Sequence, residues 1–489
     1  MDLHLDLSGT RGHRDEIYRQ IREAVLDGRL RDGDVLPPTR ELAHRLAVSR
    51  TTVTAAYERL TAEGFLTGRV GAGTYVRAGA APRPAEPAGP AEGVQPRPEW
   101  TDVPAPPKAF TTAPEFDFRA GVPDVRLFPF DTWRRLTTQA LRSSRAELMT
   151  YGEPQGDPRL RTELARHLAV SRNVRVHPDH LVITSGAQQT IDLVARVLLR
   201  PGDLAAVEDP GYPPPRLLLG TLGVRVAPVP VDDEGLVVDA IPPGTRLVHV
   251  TPSHQYPLGV AMSPSRRRAL LDWAEDNGAV VVEDDYDTEF RYSGRPLEPL
   301  HSLDSHGRVV YVGSFSKVLS PALRLGFLAA PPALAEAIVK AKYLADWHSP
   351  GIEQAVVAAF LAEGGFARHV RRMRGIYRAR HDLLVVRLRA EFGDVLEPVP
   401  ASAGLHLSAS ADRDLRGFAR KASEAGVRLF SLGDFSVSAR RHGLLFGYGA
   451  IAAEEIGPGL ARLRRVFDGG TRYHERTRPA GLSQSAAGP

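Results

Sequence analysis

The stretch Val309-Val-Tyr-Val-Gly-Ser-Phe-Ser-Lys317 is apolar and β-branched until its polar end, the pattern of a parallel-sheet strand that delivers residues to a site at its carboxyl edge. Lys317 is one of only five lysines in the chain, with Lys108, Lys340, Lys342 and Lys421. A rare lysine at the mouth of a buried strand points to chemistry. Outward from it, short apolar runs alternate with helical stretches: Leu181-Val-Ile-Thr, Ala205-Ala-Val-Glu, Leu247-Val-His-Val, Ala279-Val-Val-Val-Glu and Leu325-Gly-Phe-Leu. Alternation of this kind predicts an α/β domain with a large, mostly parallel sheet, whose ligands bind where strand ends meet loops.

Other strand ends carry matching polar residues. Thr184-Ser-Gly-Ala-Gln-Gln leads into a helix containing Ile191, Leu193 and Val194, so free backbone N–H groups near Gly186, Ala187 and Gln188 point at an anion, preferably a phosphate. Asp284 and Tyr286 follow the strand expected to end at Glu283, and Lys317 comes 33 residues after Asp284, with Ser314 just before it and Arg324 just after. Phosphate cradle, carboxylate, phenol and lysine together describe a pyridoxal phosphate site. Lys317 would form the Schiff base, which requires a neutral amine and a depressed pKa. Asp284 would keep the pyridine nitrogen protonated and Tyr286 would hydrogen-bond the ring hydroxyl. Ser314 and Arg324 would complete the phosphate shell, and Tyr212, in Glu208-Asp-Pro-Gly-Tyr-Pro213, would stack on the ring face.

The amino-terminal part reads differently. Ile17, Ile21 and Val25 form one apolar stripe on a helix from about Asp15 to Leu26 that Gly28 closes. A second helix fits Thr39 to Leu46, and Ser49 caps a third that carries Val53, Tyr57 and Leu60 on its buried side. Phe65 to Val76 reads as a hairpin around Gly71-Ala-Gly73. Three helices and a wing describe a winged helix-turn-helix over residues 11–77 that binds double-stranded DNA. Arg50, Thr51 and Thr52 would face the major groove, while Arg40, Gly71 and Gly73 would meet phosphates. From Arg11 to Arg77 twelve arginines face nine acids, a mild basic excess compatible with nucleic acid.

Composition bounds the remainder. A chain of 489 residues is too long for one core. The absence of cysteine excludes disulfides, thiolate metal sites and cysteine nucleophiles, and the sixteen histidines form no HExxH-like cluster, so no metal site is expected. No apolar run spans a bilayer and no secretory signal opens the chain, which predicts a cytoplasmic protein. Residues 78–112 are expected to be a Pro/Ala-rich flexible linker, with nine prolines between Ala78 and Pro107. Residues 113–350 read as the large domain, 351–468 as a smaller α+β domain, and 469–489 as a disordered tail.

The segments Gly33-Asp-Val-Leu-Pro-Pro-Thr-Arg-Glu-Leu-Ala, Val48-Ser-Arg-Thr-Thr-Val and Gly71-Ala-Gly-Thr-Tyr-Val closely resemble the GntR-type winged helix, departing at Pro38 where serine is usual. From Ala113 onward the chain resembles a fold-type I aminotransferase, and the whole resembles the MocR/GabR group of regulators. The resemblance implies that Tyr151, in Tyr151-Gly-Glu-Pro-Gln-Gly156, reaches the cofactor phosphate of a neighbouring subunit, hence a homodimer with composite sites, and it leaves room for winged helices swapped between subunits. Two further departures matter. Tyr256 stands where aminotransferases place an asparagine against the ring hydroxyl, leaving His254 or Gln255 to replace it. Leu445 occupies the position of the arginine that binds a substrate α-carboxylate, with Arg440 or Arg441 as the nearest substitutes. The expected function is therefore a transcriptional regulator that senses pyridoxal phosphate, an amine or an amino acid. The alternative is an active aminotransferase, with Lys317, Asp284 and Tyr286 as catalytic residues, fused to a DNA-binding domain.

Overall fold

The computed structural model describes residues 5–7, 12–69, 73–77, 94–107, 113–143, 147–292, 297–401, 403–438 and 441–476. The chain divides into two compact units, Met1–Gln95 and Pro96–Pro489. In the first, α1 (His13–Leu26), β1 (Val35–Leu36), α2 (Thr39–Arg45), α3 (Arg50–Ala62), β2 (Leu66–Arg69) and β3 (Gly73–Val76) follow in order. The predicted stripe Ile17, Ile21 and Val25 is buried against Leu42, Val53, Tyr57 and Leu60. Ser49 caps α3 as expected, its Oγ accepting from the Thr52 N–H at 3.1 Å. The two-residue β1 was not expected; it pairs with β3, making the wing a three-stranded antiparallel sheet in the order β1-β3-β2. Gly71 lies outside the described residues.

The second unit opens with β4 (Phe116–Asp117), α4 (Phe130–Ser143) and α5 (Pro158–Arg172). Its sheet is built from β5 (Leu181–Thr184), β6 (Leu204–Asp209), β7 (Arg225–Asp232), β8 (Gly235–Leu236), β9 (Thr245–Val250), β10 (Val280–Asp285), β11 (Val309–Ser314) and β12 (Gly326–Ala329). Helices α6 (Ala187–Leu198), α7 (Pro213–Thr221), α8 (Pro264–Asp276) and α9 (Leu300–Leu303) connect them, followed by α10 (Pro332–Asp346), α11 (Gly351–Ala362) and α12 (Gly365–Phe392). The strand order is β5-β12-β11-β10-β9-β6-β7-β8. The β11-β10-β9-β6-β7 centre is parallel and β12 runs antiparallel to both its neighbours. All six quoted apolar runs fall on strands of this sheet, with Ala279 and Leu325 one residue before theirs and Phe315 to Lys317 beyond β11. Their residues are buried on both faces, which is why they read as continuous apolar runs and not as alternations.

A second antiparallel sheet, ordered β13 (Glu397–Pro398), β14 (His406–Ser410), β17 (Gly443–Gly447) and β16 (Phe430–Ser431), packs with α13 (Arg416–Glu424) and α14 (Ala453–Arg476). The two-residue β15 (Val427–Arg428) runs parallel to β4. Two expectations need correction. Residues 94–107, read as linker, carry a short 3₁₀ turn at Pro98–Trp100, and Arg97 donates to the Thr221 carbonyl at 3.0 Å. Residues 469–476, expected in a disordered tail, belong to α14, which runs to Arg476. Residues 78–93 and 477–489 lie outside the described residues. No helix among the described residues is long and apolar enough to cross a membrane.

Candidate functional site

The site gathers at the carboxyl ends of β5, β10 and β11, where register aligns its parts. Ser314 pairs across the ladder with Gly326, and Gly326 with Thr184, so the end of β11 lies beside the turn into α6. That turn is the expected cradle. Gly186 is the N-cap of α6 in a left-handed conformation (φ 106°) that disfavours a side chain, and Ala187 opens the helix with Gln188 exposed after it. The Arg324 guanidinium donates to the Ser185 carbonyl at 2.6 Å, and a Cβ on Gly186 would lie 3.6 Å from its Nη2. Arg324 is itself left-handed (φ 49°) and exposed, so its charge is available to an anion at the helix end. Ser314 Oγ accepts from the Ser316 N–H at 3.1 Å, which leaves its hydroxyl proton for a ligand.

Lys317 lies just beyond β11, and its Nζ donates to the Gly121 carbonyl at 2.8 Å. Gly121 (φ 77°) adopts a conformation that disfavours a side chain, and a built Cβ would lie 3.0 Å from that Nζ. Burial lowers the Lys317 pKa, while the carboxylates of Asp287 and then Asp284 push it back up. The amine therefore sits closer to its neutral form than a solvated lysine.

Asp284 lies inside β10, which runs to Asp285 and not merely to Glu283 as expected. Its Oδ2 is 3.5 Å from His249 Nε2 on the neighbouring β9, and its buried Oδ1 has no hydrogen-bond partner. Tyr212 is part-buried, and its phenol is pushed up to about 12, first by burial and then by the Asp284 charge. The site thus includes Tyr212 alongside Asp284 and Arg324. Tyr286 donates to the His254 carbonyl at 2.8 Å and lies 3.2 Å from His254 Nδ1. Its proton is thereby engaged, and toward a ring hydroxyl the phenol oxygen is left as an acceptor.

Of the two substitutes expected for the asparagine, Gln255 is consumed by its own turn. It donates to Pro210 and Tyr256 carbonyls and to Glu208, and accepts from Leu258 N–H. His254 remains, held by Asp287, whose two oxygens lie 3.0 and 3.1 Å from Nδ1. His406, on β14, stacks on His254 with ring centroids 4.5 Å apart. His254, Asp287 and His406 each place a ligand-type atom within 4.8 Å of the others, a grouping invisible in the spacing of the sequence. With His254 Nδ1 within hydrogen-bond reach of both Asp287 oxygens, we read the trio as a hydrogen-bonded pair against a stacked ring. Sequence reasoning missed Asp287, His406, His249 and Gly121. Asp287 alone carried a signal, its position next to Tyr286.

Leu445 is fully buried on β17 in an apolar cluster with Ala120, Leu258 and Val260. Arg441 donates to the Val231 carbonyl at 3.2 Å, and Arg440 lies outside the described residues. Tyr151 is 75% exposed and stacks on Trp347, with centroids 4.8 Å apart. In the first unit Arg40, Arg50, Thr51 and Gly73 are exposed. Thr52 is half-buried, and both threonine hydroxyls lie 2.7 Å from Ser49 Oγ, so they serve the helix cap as well as any groove.

Comparison with known proteins places this geometry. Residues 116–436 match the family model for aminotransferase class I and II, and residues 13–76 that for the gntR family of bacterial regulatory proteins. The chain is 36% identical over 463 residues to the probable rhizopine catabolism regulatory protein MocR of Rhizobium meliloti, covering 93% of each. It is 33% identical over 436 residues to the pyridoxine biosynthesis transcriptional regulator PdxR of Corynebacterium glutamicum, covering 89% of this chain and 91% of that one. Among solved structures, the α-aminoadipate aminotransferase LysN of Thermus thermophilus, complexed with N-(5'-phosphopyridoxyl)-L-leucine, superposes with a TM-score of 0.67. It is 30% identical and covers 73% of this chain and 92% of its own. The kynurenine aminotransferase of Pyrococcus horikoshii, complexed with PMP, gives a TM-score of 0.69 at 26% identity, covering 74% and 92%. The chain belongs to the MocR-type transcriptional regulators, in which a GntR-family DNA-binding domain is joined to a class I and II aminotransferase domain.

Proposed function

We propose that this regulator holds pyridoxal phosphate on Lys317 and reports its occupancy, or that of an amine or amino acid bound beside it, to DNA through the GntR-type domain. The observation that carries the reading is a part-buried lysine amine with a lowered pKa that feels the charge of Asp284, whose buried Oδ1 has no hydrogen-bond partner. The residues fit the cofactor. Asp284 matches a protonated ring nitrogen, and the α6 N-terminus with Ser314 and Arg324 matches a phosphate.

When bound, pyridoxal phosphate supplies an aldehyde carbon and an electron-withdrawing ring. The remaining roles fall to the chain. Lys317 presents a nitrogen that gives up its proton more readily than a solvated lysine's, because burial disfavours its charge. Gly121 orients that nitrogen, Tyr212 covers one side of the site, and the Tyr286 oxygen accepts from a ring hydroxyl. His254, fixed by Asp287, holds Tyr286 through its carbonyl. Signalling needs only that a ligand bind two arrangements of the protein with different affinity. We further propose a cytoplasmic homodimer in which Tyr151 serves the partner subunit's site.

The second reading, a working aminotransferase, is favoured by the presence together of Lys317, Asp284 and Tyr286. Leu445 speaks against it, because a carboxylate gains nothing from a buried leucine. Footprinting of the chain's own upstream DNA tests the proposal. Wild type should protect a site in a manner that pyridoxal phosphate changes. Lys317→Ala should still bind DNA, lose the visible absorbance of lysine-bound cofactor and respond no longer. Arg50→Ala should lose the footprint and keep the absorbance. Rapid multiple turnover of an amino donor and a keto acid would replace the sensor by the enzyme.

A further inference from the structure

We propose that the ligand recognised beside Lys317 is a primary amine with an apolar or aromatic body and no carboxylate. This rests on the cofactor-sensing reading and narrows its ligand. The side chains packed near the lysine are of two kinds. One is aromatic: the Tyr256 ring lies 5.6 Å from Tyr212, 6.0 Å from Tyr286 and 5.2 Å from Phe435, centroid to centroid. The other is aliphatic. Ala120 precedes the glycine whose carbonyl takes the Lys317 Nζ, and it packs in one cluster with Leu445, against which Tyr256 also rests.

The electrostatics select in the same direction. Asp287 and Asp284 both act on the Lys317 amine, so the local field favours a cation and opposes a second anion. His406 adds no positive charge, since burial holds it well below its ordinary pKa and hence neutral. Three arginines of this unit are committed elsewhere. Arg324 donates to the Ser185 carbonyl at the phosphate cradle, Arg119 pairs with Asp117, and Arg441 donates to the Val231 carbonyl. A carboxylate entering here would be stripped of water against apolar rings and the like charge of Asp287. An amine whose remaining body is hydrocarbon loses nothing comparable and gains the aromatic rings.

Calorimetric titration of the cofactor-loaded full chain tests this with matched pairs, phenethylamine against phenylalanine and isoamylamine against leucine. Each amine should bind at least tenfold more tightly than its amino acid. Leu445→Arg should shrink or reverse that ratio, while Leu445→Met, which adds no charge, should preserve it. Should Leu445→Arg fail to fold, the wild-type ratio and Leu445→Met decide. Equal or tighter binding of the amino acids overturns the proposal. So does the absence of binding by every probe while the visible absorbance of lysine-bound cofactor persists, an outcome that leaves cofactor sensing standing. Absence of that absorbance in wild type overturns both.

Discussion

At the scale of single residues the site is a contest between burial and charge. Asp284 keeps a buried oxygen without a partner, a cost that a protonated ring nitrogen would offset. A hydrogen bond between charged groups contributes about 1.5 to 3 kcal/mol. Asp284→Ala should accordingly weaken pyridoxal phosphate binding roughly 10- to 150-fold, read by absorbance titration, and an unchanged affinity would remove Asp284 from the site. Asp287 acts on the same lysine, its effect being the larger of the two that oppose burial. Capture of the cofactor needs the unprotonated amine. Asp287→Asn should therefore move the pH midpoint of capture downward, and an upward movement would contradict the assigned sign. Lys317, Asp284 and Gly186 were legible in the sequence because each lies at the junction of an apolar strand with a polar turn. Gly121 and His406 were not, because they reach the site from distant segments that no local pattern connects to β11.

Among the elements, the sheet was legible wherever strands are buried on both faces, and strand ends moved by one or two residues. The missed strand β7 contains Pro228 and Pro230, which argue against a strand when read locally. Two residues apart, they turn their missing donors to the same side, a placement that a strand near the sheet edge tolerates. The two-residue β1 could not be read at all, since only pairing with β3 makes it a strand. Helix α3 offers a direct test of its cap. Ser49→Ala removes the acceptor for Thr52 N–H and should cost the DNA-binding unit about 1 kcal/mol, measured by urea unfolding. Helix α5 carries His167, half-buried against Phe366 and pushed down to about 4 by burial and then by Arg172. As pH falls, the unfolded chain takes up this proton near pH 6.5, before the folded one does, so stability drops between about 6.5 and 4 and levels off below. His167→Phe should recover on the order of 2 kcal/mol of the acid loss, seen in denaturation at pH 5 against pH 7.5. An equal loss in both proteins would assign the effect to other groups.

For the whole molecule, the open question is whether one chain holds a complete site. Tyr151 leans on Trp347, and Tyr343 meets that ring edge-on at 4.9 Å between centroids. Around them Met149 and Leu344 are 74% and 81% exposed, an apolar surface of the kind a partner covers. The patch is wired to the cradle of its own chain. Asp346, adjacent to Trp347, accepts from Gln189 Nε2 at 2.7 Å, and Gln189 Oε1 accepts from the Ser185 N–H at 2.8 Å. A second copy seated there by two-fold symmetry would bring its own patch to this cradle and receive the same in return. Sites built in this way complement one another in a predictable manner. Homodimers of Lys317→Ala lack the amine at both sites, and homodimers of Tyr151→Ala lack the tyrosine at both. A mixed dimer instead unites an intact Lys317 with an intact Tyr151 at one of its two sites. Unfolded together and refolded, the two variants should regain about a quarter of the wild-type visible absorbance, since random pairing makes half the dimers mixed and each carries one complete site. Sedimentation should show dimers throughout. No gain over the separately refolded variants would mean that Tyr151 serves its own chain, and the exposed aromatic face would then need a different occupant.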